Sequence, residues 1–288
     1  DEVRRMVEAA IFNAGPTDAD PACGLPDESQ EFPAPVLYDP SWEGVGDREK
    51  AEFAIGLERN TLSLDPRMKR VRSASLMESV GEVIIWNSAG RSGAARESKY
   101  AAWVESIAEE GTEGQTGSGY GFSRRFDSLS SRAVAAEAAG KAIRMLGARP
   151  LRTGRYAAIL ENAAAAELLE VLAPSFLASN VAKGRSILAG LLGKAVASPV
   201  LRICDDPLDA SGSGAAAFDG EGTACRRNVL VEGGVLKGFL ADAFWGRKLG
   251  TGTTGSSRRM SPKMPPMVGI STLRVDPGRK TLEEMLRN

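Results

Sequence analysis

Between Arg67 and Ser123 the side-chain pattern alternates with a period of two, and this constrains the fold more than any other feature of the chain. Period two places alternate side chains on opposite faces of a strand. Strands are predicted over Lys69–Ser75, Glu82–Trp86, Ser98–Ala108 and Gln115–Ser123. Asn87, Ser88, Ala89 and Gly90 supply turn residues between the second and third. Long alternating strands joined by short turns predict an antiparallel meander with one wet face.

Helical signals flank this block. Val3, Met6, Val7, Ala10 and Ile11 recur at three-to-four spacing, so a helix is predicted over Glu2–Asn13. A second should run from a cap at Asp47 to about Leu64, stopped by Asp65-Pro66. Ser130 or Ser131 opens a third that ends near Gly147. Tyr156–Leu160 reads as a short strand, and Glu161-Asn162 as the cap of a helix from Ala163 to Ala173, where Pro174 interrupts it. Further along, Lys183–Lys194 reads as helical and Pro199–Cys204 as a strand. Asn228–Leu240 reads as a hairpin turning at Gly233-Gly234. Phe244–Leu249 forms a helical turn, 250–266 a long loop, Met267–Val275 one more strand, and Thr281 opens a last helix. The sum is an α+β fold: an antiparallel, strand-rich body with flanking helices. Two lobes are expected, 1–150 and 151–288, joined near 148–155.

Composition excludes several functions. The 288 residues carry 36 basic and 37 acidic side chains, a formal net charge of −1, which argues against an electrostatic nucleic-acid binder. No apolar run reaches the ~18 residues of a membrane-spanning helix. Cys23, Cys204 and Cys225 are odd in number and far apart, which favours a reducing cytoplasm over a disulfide framework. The chain has no histidine at all, so Ser-His-Asp and Cys-His catalysis are excluded within it. Gly250, Gly252 and Gly255 fit a G-x-G-x-x-G pattern, but the strand before and helix after that phosphate binding requires are missing. Gly117-x-Gly119-x-Gly121 is more simply a strand with glycines.

Four ordered segments carry a family resemblance. Residues 218–240, FDGEGTACRRNVLVEGGVLKGFL, resemble the DDEG-x-P-x-(R/Q)-R-x-V-L-(I/V)-E-(D/N)-G-(V/I)-L-x-G signature of the TldD/PmbA family. Residues 183–193, KGRSILAGLLG, resemble its KG-x-S-x-x-AG-x-LG segment, Ala197-Ser198 its VAS, and Asp205-Asp206-Pro207 its DDP. The resemblance implies a cytoplasmic metallopeptidase system, named elsewhere as a modulator of DNA gyrase, that acts on unfolded or modified peptides. TldD-type members of that family carry a zinc-binding HExxxH on the helix before the KG segment. Here those positions are Leu169, Glu170 and Pro174. Leucine and proline cannot ligate a metal. The chain therefore resembles the PmbA (TldE) branch, with no cofactor of its own and zinc expected in a TldD-type partner. It begins at Asp1 and ends in a helix start, so a piece of a longer protein is expected.

The candidate binding residues lie within the signature. Arg226 and Arg227 can grip a peptide backbone or carboxylate, beside Asp219 and Glu221. The plainer reading of the arginines is an exposed basic pair on a strand. Asp205, Asp206, Asp209, Asp219 and Glu221 have the oxygens to gather a hard cation, but a solvated acidic loop is the simpler reading. Association through open strand edges is expected, with a TldD-type subunit or with a second copy. The rival readings are a non-enzymatic homodimeric peptide-binding protein and a carboxylate hydrolase using a divalent ion.

Overall fold

The computed structural model describes residues 2–16, 18–26, 30–261 and 263–287. Helix α1, Glu2–Ala14, has the predicted span, with its apolar residues exposed. Helix α2 covers Asp47–Ser63. Asp47 is its first helical residue, not its cap; Gly46 holds the cap position without a side-chain hydrogen bond.

Three strands follow, β1 Met68–Trp86, β2 Ser92–Glu110 and β3 Glu113–Ser123, in the antiparallel order β1-β2-β3. The first two predicted strands are thus one. Residues 76–81, where the alternation fades, stay paired to β2 from Leu76↔Ala102 to Gly81↔Glu97. The hairpin ladder bonds backbone to backbone and carries the strand through residues that bury little. Asn87 Oδ1 accepts from the amides of Ala89 and Arg91, which closes the turn at the predicted place.

Helix α3, Ser131–Met145, is capped by Ser130, whose hydroxyl accepts from Ala133 N at 3.2 Å. It lies directly on β3, and the alternate glycines there let it do so. A Cβ on Gly117 would meet Ala138 O at 2.2 Å. The first core forms where Tyr100, Ala102 and Val104 of β2 meet Leu57 of α2 and Val134, Ala135 and Ala138 of α3. Both helices cover one face of the sheet, and Trp103 on the other face is partly exposed.

The second half has its own core. Helix α4, Asn162–Leu172, runs into a tight 3-10 turn at Ala173–Phe176 that accommodates Pro174, and then into the short helix α5, Ala178–Ala182. Strands β4 Ile203–Asp205, β5 Asn228–Glu232, β6 Val235–Leu236 and β9 Leu273–Val275 form a sheet ordered β6-β5-β4-β9. Gly233 and Gly234 take φ of 57° and 75° in the β5–β6 turn, as the hairpin reading requires. Helix α6, Ala243–Leu249, is followed by a two-stranded ladder of β7 Ser257–Arg258 and β8 Met267–Val268. Helix α7, Leu282–Leu286, starts with a capping box between Thr281 and Glu284. Phe176, Ile203, Leu230, Val231, Leu236 and Leu240 make the second core.

Five expectations are corrected here. Tyr156–Leu160 pairs with no strand among the described residues and is exposed. Lys183–Lys194 is a chain of turns, because Gly184, Gly190 and Gly193 all adopt positive φ. Only Ile203 and Cys204 of Pro199–Cys204 are in a strand, and Val200 is 90% exposed. Met267–Val275 is split into β8 and β9, which belong to different sheets, and the presumed loop 250–266 contains β7.

Buried Arg124 spans the two cores. It donates to Ala210 O at 3.2 Å and Gly212 O at 2.8 Å, and pairs with Glu97 at 3.1 Å. Phe32 packs on Phe218 across the same junction, with ring centroids 5.0 Å apart.

Candidate functional site

Helix α4 and edge strand β9 enclose a cleft of about 680 Å³. Ala165, Leu169, Glu170 and Pro174 line one side, and Ile270, Leu273 and Val275 the other. The three positions singled out in the sequence therefore share one wall. Leu169 and Val275 also line an adjoining apolar pocket of about 420 Å³, where Leu160, Leu168, Leu172 and Ile187 stand. Among the described residues β9 pairs with β4 on one side only, so its other edge faces outward from the sheet.

Zinc requires three or four nitrogen, sulfur or oxygen ligands in close geometry. Leu169 and Pro174 have none to offer, and Glu170 is the single ionisable residue of the lining. This donor set does not fit zinc. Among the described residues no three His, Cys, Asp or Glu side chains gather at metal-binding distance.

The signature segment 218–227 is held by its carboxylates. Asp219 is buried; its Oδ1 accepts from the amides of Glu221 and Thr223, both at 2.9 Å, and its Oδ2 from Ser257 N at 3.0 Å. Burial nevertheless raises its pKa, since the three amides recover only part of the lost hydration. Glu221 Oε2 accepts from Ala243 N at 2.9 Å, at the start of α6. Burial, with the charges of Asp219 and Asp242 adding, pushes Glu221 up to about 7. Asp242 caps α6 through Trp245 N at 2.8 Å. Burial also pushes the Cys225 thiol up to about 12.

The remaining acidic residues also bind backbone amides, although Asp205 Oδ2 is buried without a hydrogen-bond partner. Asp205, fully buried, accepts at Oδ1 from Ser271 N at 2.9 Å and Thr272 N at 2.8 Å, tying the end of β4 to the approach to β9. Asp206 accepts from Leu208 N at 3.1 Å, and Asp209 from Ser211 N at 3.0 Å while pairing with Arg274. The solvated acidic loop read from the sequence is thus a set of buried and half-buried backbone ties. It folds around amides because a short carboxylate reaches amides two residues on.

Arg226 donates to Thr253 O. Arg227 places Nε and Nη2 at 3.3 and 3.2 Å from Cys204 Sγ, and Nη2 at 3.2 Å from Asp276 Oδ1. Arg227 therefore reaches the residue that directly follows β9, while Asp219 and Glu221 face α6 and β7. The sequence placed these four side by side, and the structure divides them between two sides of the loop. What the sequence reading missed is β9 as a wall of the cleft. Its pairing with β4 joins residues about seventy positions apart, for which a single sequence carries no signal.

Residues 153–288 match the family model described as the PmbA/TldA metallopeptidase C-terminal domain, and 40–146 the one described as its central domain. The chain belongs to the TldD/PmbA family. It is 28% identical to the metalloprotease PmbA of Escherichia coli O157:H7 over 257 residues, which is 88% of this chain and 57% of that protein. The chain thus spans little more than half the length of the curated relatives it matches. A Thermotoga maritima MSB8 structure, described as a candidate modulator of a DNA gyrase, superposes with a TM-score of 0.88 at 26% identity, covering 97% of this chain and 62% of that one. TldE from Thermococcus kodakarensis superposes with a TM-score of 0.85, covering 99% and 64%; at 21% identity that likeness is one of fold. No helix among the described residues is long and apolar enough to cross a membrane.

Proposed function

We propose that this chain is the PmbA-type (TldE-type) non-catalytic subunit of a cytoplasmic TldD/TldE metallopeptidase that processes unfolded or modified peptides. The observation that carries the reading is the donor set of the cleft. The residues that the resemblance aligns with the zinc motif, Leu169 and Glu170 on α4 and Pro174 in the turn after it, line the cleft opposite β9 and offer one carboxylate between them. A TldD-type partner would supply the zinc.

The cleft suits a peptide-holding role. An extended peptide can add to the free edge of β9, where backbone hydrogen bonds give affinity with little dependence on sequence. The adjoining apolar pocket takes alternate side chains. Arg227, which pairs with Asp276 just past β9, is proposed to steady the peptide there, whereas Arg226 is turned to Thr253.

Mixing the full-length protein with its TldD-type partner tests this. Cleavage of an unfolded peptide should exceed that of the partner alone and be abolished by a chelator. A mixture that cleaves no better than the partner alone removes the subunit reading and leaves the homodimeric peptide-binding protein.

A further inference from the structure

Charge is unevenly spread along the chain. Residues 138–204 carry nine basic side chains against three acidic ones, in a protein whose net charge is −1. The three, Glu161, Glu167 and Glu170, stand at the cap or in the body of α4, so 138–160 and 171–204 contain no Asp or Glu at all. These two acid-free stretches meet at the apolar pocket of about 420 Å³ beside the α4–β9 cleft. Leu160 comes from the first, and Phe176, Ile187, Leu188, Val196 and Leu201 from the second. The lining holds no charged side chain, and Ser175 is its single polar one. Its mouth is open to solvent: Leu160, Leu168 and Ile187 are each more than half exposed.

Cations flank this pocket. Arg152 and Arg155 lie on the linker that leads into Leu160, Arg185 two residues before Ile187, and Lys194 two residues before Val196. All four are exposed, and none pairs with a carboxylate among the described residues. The Tyr156 hydroxyl donates to Arg152 O at 2.8 Å with its ring against Gly154, which folds the linker into a turn that carries both arginines. Most carboxylates of the region are already engaged. Glu161 pairs with Arg144 at 3.2 Å, and Arg202 takes both Asp276 and Glu232. Glu167 and Glu170 of α4 remain, and Glu170 lines the neighbouring cleft.

We propose that this pocket holds an apolar residue of an extended peptide whose neighbouring residues are acidic. The apolar lining takes the anchor side chain out of water, and the unpaired guanidinium and ammonium groups attract carboxylates on either side of it. A nucleic acid matches the same cations less well. Single strands need exposed aromatic faces to stack on, and the one aromatic residue of the lining, Phe176, is buried. The proposal rests on the peptide-handling reading above and adds which peptides are preferred: those with acidic rather than basic residues beside the apolar anchor. Because the flanking cations are exposed, the preference is screened by salt.

The test uses three fluorescent peptides of about ten residues, each with a central pair of leucines flanked by Glu, Gln or Lys, and reads anisotropy on the full chain in low salt. The Glu peptide should bind at least about ten-fold tighter than the Lys peptide, a ratio that three or four surface ion pairs supply together. The ratio should fall towards one in about 1 M salt, where charges more than about 3 Å apart are screened. A Glu peptide with glycines in place of the leucines should bind at least about ten-fold more weakly than its parent. Arg152→Gln, Arg155→Gln, Arg185→Gln and Lys194→Gln together should bring the Glu-to-Lys ratio towards one. Leu168→Gln with Ile187→Gln should weaken all three leucine peptides by a similar factor and keep the ratio. All six positions are exposed, so both variants should keep the parent's circular dichroism spectrum. Equal binding of the Glu, Gln and Lys peptides overturns the acidic preference and leaves the peptide reading standing, whereas no binding of any of them overturns both. A glycine-centred peptide that binds as well as its parent, or an oligothymidylate that displaces the Glu peptide as effectively as unlabelled peptide does, assigns the cations to a general polyanion and overturns the proposal. A parent dimer that the Leu168 and Ile187 changes turn into monomers, with peptide binding unaltered, assigns the pocket to a second copy and overturns it too.

Discussion

Gly119 of β3 lies so close to Val134 of α3 that a Cβ on the glycine would stand 2.1 Å from the valine carbonyl oxygen. The helix rests on backbone there, and no side chain can be interposed without moving it. Gly119→Ala should therefore lower stability by roughly 1–3 kcal/mol, the range for overpacking, in urea denaturation. Gly81→Ala, on β1 with open space around it, is the control and should be neutral or slightly stabilising.

Asp205 should be a structural keystone rather than a ligand. Asp205→Ala removes the acceptor of two amides, Ser271 and Thr272, and should cost about 2–4 kcal/mol. Asp205→Asn keeps one acceptor oxygen and should cost less. An Ala variant as stable as the parent would show that these amides find other partners.

Glu221 makes a pH-dependent contribution. Its folded pKa, about 7, lies above the ordinary value of 4.5, so the folded state holds the proton more tightly than the unfolded one. Stability from this group is full below about pH 4.5 and is lost as the pH rises through 7. With the group partly open to solvent the loss is on the order of 1–2 kcal/mol. Glu221→Gln should flatten the melting-temperature profile between pH 5 and about 7.5; an unchanged profile would assign that slope to other groups.

Restoring histidine at the motif should not create a peptidase. The double variant Leu169→His, Pro174→His supplies two nitrogens and Glu170 on one wall, yet a working site needs ligands and their supports held within about 0.5 Å. Leu169 also packs against the second core, so its replacement should lower stability by about 1–3 kcal/mol. Zinc-dependent peptide cleavage by the variant alone would contradict the proposed division of labour.

The local elements were legible in the sequence for local reasons. Ser130 caps α3 through an amide three residues away, and Gly233-Gly234 turns the β5–β6 hairpin, so neighbouring residues carry the whole signal. That Leu169 and Pro174 offer no atom to a metal was equally plain, since side-chain chemistry does not depend on the fold. Tertiary structure decided the rest. β1 is continuous through residues 76–81 because β2 pairs with it there, which no alternation in β1 records. Arg226 and Arg227, adjacent in the chain, turn to different partners because Thr253 and Asp276 are brought to them from elsewhere. The cleft exists because β9 pairs with β4 and faces α4. Side-chain types and short-range hydrogen bonds are properties of neighbours in sequence. Enclosed space is a property of distant segments packed together, and only the folded chain contains it.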